Sequence, residues 1–173
     1  HNRVGLEIAS SLCAAGYPTD LFPSSLAGCF ALRLDDEGYV CLGPQRYRAL
    51  VLYRPEFCGQ PELEFFGRAS LGKTAIFQVG EWTCDSEARP LKTAQRLGDK
   101  VRRCADDESC ATTVKTWLGE ASVPRVTGWS RNNLTHPLPP VDGLASLTDG
   151  TCIRAAGSGD AAGDPIRETF TWQ

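Results

Sequence analysis

Eight cysteines in 173 residues, none of them in a Cys-x-x-Cys pair, constrain this chain more than any other feature. Cys13, Cys29, Cys41, Cys58, Cys84, Cys104, Cys110 and Cys152 are spread along nearly the whole length. A structural zinc site draws two thiolates from one turn and therefore needs close ligand pairs. The closest pair, Cys104 and Cys110, has five residues between and no histidine near it, so no metal site is expected. An even count at wide spacing reads instead as a disulfide framework, which persists only in oxidising surroundings. The expectation is a secreted, extracellular protein whose eight cysteines are paired.

A chain of this length fits a single domain over residues 1–173, large enough to bury a core. Its 42% apolar and 23% charged content is that of an ordinary globular protein. Disulfides would then add durability, about 2–4 kcal/mol each, to a core that largely folds by burial. The net charge of −3 and pI of about 5.4 argue against a nucleic-acid partner, which favours a basic excess. No stretch approaches the ~20 apolar residues of a membrane span, so no membrane partner is expected. No leader is visible, which fits a mature chain from which one has been removed. Asn133-Leu134-Thr135 is the only glycosylation sequon, and it places Asn133 at the surface of a secreted protein.

Along the chain, residues 3–15 put Val4, Ile8, Leu12 and Ala15 on one face before Gly16 and Pro18, the pattern of an amphipathic helix with stop signals. Residues 29–34 and 39–42 flank Asp35-Asp36-Glu37-Gly38, a hairpin signature. Residues 45–53 predict one further strand, with 62–66 and 74–79 as two more. Pro90 opens a predicted helix with Leu91, Ala94, Leu97, Val101 and Cys104 on one side. Asp106 or Asp107 caps a second, carrying Cys110, Val114 and Leu118. Residues 119–165 hold five prolines and seven glycines and are expected to wrap the surface irregularly, followed by a strand from Ile166 to Trp172. Strands early and helices later predict an α+β fold. The expectation is an antiparallel sheet of about four to five strands, covered by helices and long loops and locked by disulfides.

Few residues offer chemistry. His1 and His136 are the only histidines. An N-terminal histidine can supply an amine and an imidazole to copper, with a second imidazole completing a histidine brace as in lytic polysaccharide monooxygenases. That makes a copper site at His1 and His136 the alternative enzymatic reading. Against it, His136 is followed by Pro-Leu-Pro-Pro with no recognisable axial aromatic motif. Gly157-Ser158-Gly159-Asp160 lies in a glycine- and alanine-rich stretch that suits a flexible loop better than a nucleophile. Residues 67–74, Gly-Arg-Ala-Ser-Leu-Gly-Lys-Thr, match a P-loop literally. That motif needs a strand before it and a helix opening at Lys73, whereas Thr74 to Val79 reads as a strand, so the match is taken as coincidence. No catalytic residues and no cofactor are assigned.

Gln45-Arg46-Tyr47-Arg48 is similar to the strand motif Trp-Arg-(Phe/Tyr)-(Arg/Lys) of the LARS effectors, the Leptosphaeria avirulence and suppressing group of secreted fungal plant-pathogen proteins. Here Gln45 stands where that motif has tryptophan. The resemblance implies a four-stranded antiparallel sheet under helices and loops, locked by disulfides. It also implies a non-enzymatic virulence function, exerted on a host plant protein and perceived by host resistance; the chain is expected to be a monomer. The protein would act in the host apoplast or after translocation into host cells. Arg46, Tyr47 and Arg48 then become the candidate binding residues. In a strand the two guanidinium groups leave one face and Tyr47 the other, so the arginines hold carboxylates either on a partner or within the chain itself.

Overall fold

Five consecutive residues, Ala75 to Val79, are all buried, and a run with no solvent-facing member belongs to the middle of a parallel sheet covered on both faces. The computed structural model describes residues 5–95, 97–131, 143–150 and 152–155. Their contacts group into two compact units, one built from residues 1–15 and 19–123 and one from 16–18 and 124–173.

The first unit begins with helix α1 (Leu6–Ala14) and a single 3-10 turn (Ser24–Ala27). Strands β1 (Leu32–Leu34), β2 (Val40–Leu42) and β3 (Gln45–Tyr47) form an antiparallel meander. Strands β4 (Ala49–Tyr53), β6 (Ala75–Val79) and β9 (Arg102–Cys104) form the parallel sheet, with β6 in the centre. Strand β5 (Phe57–Cys58) and helix α2 (Gln60–Ala69) make the crossover between β4 and β6. Strands β7 (Trp82–Asp85) and β8 (Pro90–Gln95) form a hairpin, with β5 pairing parallel to β7. Helix α3 (Asp107–Glu120) closes the unit.

The core follows from alternation along β4 and β6. Leu50, Leu52 and Ile76 meet Phe65, Phe66 and Ala69 of α2, with Trp82 fully buried among them. Phe77 leaves the other face and meets Trp117 of α3 edge-on, the ring centroids 6.1 Å apart. Helix α3 starts as the sequence predicts. Asp106 is its N-cap, its carboxylate accepting the Ser109 N–H at 2.8 Å, and Cys110, Val114 and Leu118 are buried.

Several expectations are corrected. The fold mixes α and β, but among the described residues no sheet exceeds three strands, and the central one is parallel rather than antiparallel. Residues 62–66 are helical, not a strand. Pro61 stands in the first turn of α2, where its missing N–H costs nothing, and the Glu62 carboxylate accepts the Gly59 N–H at 2.6 Å. The helix expected from Pro90 is instead β8, a turn and β9. The Asp85 carboxylate accepts the Glu87 and Arg89 N–H groups at 2.9 and 3.0 Å, fixing a tight turn that aligns Pro90 onward against β7. Hairpin pairing overrides the helical spacing there. Residues 45–53 form two strands that part at Arg48 and join different sheets.

The second unit also departs from the irregular wrapping expected of it. Strands β10 (Val126–Arg131), β11 (Gly143–Leu147) and β12 (Cys152–Ala155) make an antiparallel meander. The strand expected at 166–172 lies outside the described residues.

No disulfide joins the described residues, which include Cys13, Cys29, Cys41, Cys58, Cys84, Cys104 and Cys110. Cys41, Cys58 and Cys110 are buried as small apolar side chains. Burial, with the neighbouring Cys104 thiol, pushes Cys110 up to about 12. The side chain of Cys152 lies outside the described residues.

Candidate functional site

The arginine strand is occupied largely by its own hairpin. Arg46 is ion-paired to Asp35 at 2.6 Å and to Glu37 at 3.0 Å, two of the three carboxylates of the turn between β1 and β2. Its guanidinium also lies 4.9 Å from the centroid of the buried Tyr39 ring. Tyr47 is half-buried, 5.5 Å from the Phe22 ring, and its hydroxyl donates to Asp20 at 2.9 Å. Burial and that carboxylate push the phenol up to about 12. Arg48 differs: it is exposed, its Nη1 donates to the Tyr39 hydroxyl at 2.7 Å, and no carboxylate pairs with it among the described residues. Arg46 therefore serves the hairpin, Tyr47 ties β3 to the segment around Asp20 and Phe22, and Arg48 retains an uncompensated charge. His1, His136 and Asn133 lie outside the described residues.

The P-loop match resolves into a different structure. Helix α2 ends at Ala69, before Gly72-Lys73-Thr74, and strand β6 follows, the reverse of the strand-to-helix order that cradles phosphate. A Cβ on Gly72 would collide with the Gly38 carbonyl oxygen, so this turn lies directly against the β1–β2 turn. The Lys73 N–H donates to that same oxygen at 2.8 Å. Thr74 Oγ1 accepts the Val40 N–H and donates to the Tyr47 carbonyl, both at 2.8 Å. These three residues fasten the β1–β3 meander to the parallel sheet.

Beside that turn opens a cleft of about 440 Å³, lined by Ser70, Lys73, Asp99, Lys100, Arg102 and Trp117 among others. Three cations and one carboxylate, Asp99, line it. Lys73 Nζ reaches Glu37 at 3.3 Å, an exposed pair of little strength. Arg102 stacks between aromatic rings, its guanidinium carbon 5.4 Å from the Phe77 centroid and 5.6 Å from that of Trp117. Among the described residues no carboxylate pairs with Lys100 or Arg102. The register places the cleft at the amino ends of the parallel strands, since Ala49 lies beside Ala75 and Phe77 beside Arg102.

The carboxyl ends, where open α/β sheets usually carry their ligands, are tied together instead. The Tyr53 hydroxyl donates to Asp107 at 2.8 Å and Arg54 pairs with the same carboxylate at 3.1 Å. Arg54 holds a left-handed backbone, φ 41°, with its N–H donated to the Val79 carbonyl at 2.6 Å. Among the described residues, no cluster of three or more His, Cys, Asp or Glu side chains could hold a metal. No helix there is long and apolar enough to cross a membrane.

Lys73, Lys100, Arg102 and Trp117 were not singled out from the sequence as a group. They come from a turn, a strand approach and a helix, and no spacing rule links them. Lys73 alone stood inside a recognisable motif, for a reason unrelated to phosphate cradling.

No known family matches this sequence, and no curated protein matches it. Among solved structures, the fold is similar to part of the apo exo-carrageenase GH42 from Bacteroides ovatus, with a TM-score of 0.50 and 11% identity. The likeness covers 82% of this chain and 21% of that one. It concerns fold alone: the chain spans about a fifth of the length of that protein.

Proposed function

We propose that this chain is a non-catalytic binding module with an anionic partner, and that the cleft at the amino ends of the parallel strands is where the anion sits. The observation that carries the reading is the set of three cations, Lys73, Lys100 and Arg102, around one concave space that among the described residues has Asp99 as its only lining carboxylate. Two of the three lack a carboxylate partner, so an incoming anion need not displace one. The effector expectation, a secreted protein acting on a host protein, belongs to the same class. Of its three candidate residues, Arg48 alone keeps a charge to offer.

Calorimetric titration with inorganic phosphate at low ionic strength tests the proposal. Saturable binding is expected, weakened roughly fivefold by Lys100→Ala, since one charge-assisted contact is worth about 1 kcal/mol in an exposed cleft. Lys100 is exposed, so its removal leaves the fold intact. An absence of binding, or an unchanged affinity in Lys100→Ala, would sink the assignment.

A further inference from the structure

The three parallel strands each begin beside a cation. Arg48 precedes β4, Lys73 precedes β6, and Lys100 lies two residues before Arg102 at the start of β9. By the register, Arg48 and Thr74 are level, and Lys100 is level with Ala75. Neighbouring strands lie ~4.8 Å apart, so these backbones form a row about 10 Å long. The strand order β4-β6-β9 makes the row continuous, with the cleft at one end and Arg48 at the other.

What the row can read is narrow. The Ser70 hydroxyl donates to the Gly67 carbonyl at 2.7 Å and the Thr74 hydroxyl to the Tyr47 carbonyl at 2.8 Å, so neither offers its proton to a sugar. Trp117 has the Arg102 guanidinium over its ring and Phe77 against it, which removes the open aromatic platform that single-stranded nucleic acids stack on. The uncommitted donors are point charges and guanidinium forks, which suit phosphate oxygens. Asp99 and the Glu37 partner of Lys73 are the local counterweights, and more distant carboxylates are screened within ~10 Å at ordinary salt.

We infer that the partner is a linear polyphosphate, lying across the strand ends from the cleft to Arg48. This rests on the anion-binding reading of the cleft and extends it to a ligand class and to a fourth residue. The test compares inorganic phosphate with a polyphosphate of about fourteen units, in the intact protein and in Arg48→Gln, which keeps a donor for the Tyr39 hydroxyl while removing the charge. Polyphosphate is expected to bind at least tenfold tighter than phosphate. Arg48→Gln should weaken polyphosphate roughly fivefold and leave phosphate unchanged, with the melting temperature confirming the fold. Polyphosphate binding no tighter than phosphate, or insensitive to Arg48→Gln, overturns the extended site while the cleft stands. Loss of phosphate binding itself removes both. A heparin hexasaccharide or a twelve-residue oligothymidylate binding more tightly than polyphosphate overturns the ligand class.

Discussion

Arg46 shows how one side chain decides between two roles that a strand motif leaves open. Its two carboxylate partners belong to the turn that joins the strands beside it, and it stabilises the hairpin from within. Burial pushes Asp35 up, but the Tyr39 N–H and the Arg46 guanidinium outweigh that effect and hold the carboxyl below its ordinary 3.8. Hydrogen bonds from Lys73 and Arg46 hold Glu37 below its ordinary 4.5. A carboxyl with a lower pKa folded than unfolded gives stability that is present above the unfolded pKa and lost as pH falls through the folded one. The hairpin should therefore be steady from pH 7 to about 5 and weaken below the 4.5 and 3.8 of the unfolded groups. Arg46→Ala is expected to lower the melting temperature at pH 7 by about 2–4 °C, with the gap from wild type narrowing toward pH 3. A gap that stays constant across this range would rule out the carboxylate clamp. The candidate binding residues were thus legible as types in the sequence. Their partners were not, because Asp20, Asp35 and Tyr39 reach them only after the chain has turned back.

At the scale of elements, the turn between α2 and β6 explains a motif that composition alone mimics. A P-loop would need both of its glycines; this turn needs one. Gly67 lies inside α2 with open space where a Cβ would go, so Gly67→Ala should stabilise the protein by about 0.5–1 kcal/mol. Gly72→Ala drives a methyl group into the Gly38 carbonyl and should destabilise by about 1–3 kcal/mol. Urea unfolding of the two variants checks this. Equal effects would mean that the close approach of the two turns is not part of the folded state. The helix expected at 90–104 failed for a related reason. Its 3.6-residue spacing is present, yet the Asp85 turn offers β8 a ready partner in β7, and paired backbone outcompetes an unsupported helical pattern.

At the scale of the whole molecule, burial and cysteine pairing are two separate sources of stability. Phe66, Phe77 and Trp82 are essentially inaccessible to solvent, a burial that stabilises the core independently of any cysteine pairing. Free thiols would leave the far-ultraviolet circular dichroism unchanged on addition of dithiothreitol and the melting temperature within about 3 °C. A framework of disulfides contributing about 2–4 kcal/mol each would instead reveal itself as a fall of ten degrees or more on reduction. Cys104 and Cys110 are the pair to watch in non-reducing peptide mapping, since the two thiols are neighbours at the junction of β9 and α3.

The sequence by itself determined the local elements whose signals are self-contained. Helix α1 and its stop, the β1–β2 hairpin around Asp35 to Gly38, strand β6 and the Asp106 cap of α3 all depend on residues within a few positions of one another. Tertiary structure decided the rest. Whether residues 45–53 stay in one sheet, whether β6 takes parallel neighbours, and which cations share a cleft depend on contacts between segments tens of residues apart. Hydrophobic period and turn chemistry describe what a segment can become. Which strand edge reaches it is settled by burial of the whole core, and no local pattern records that outcome.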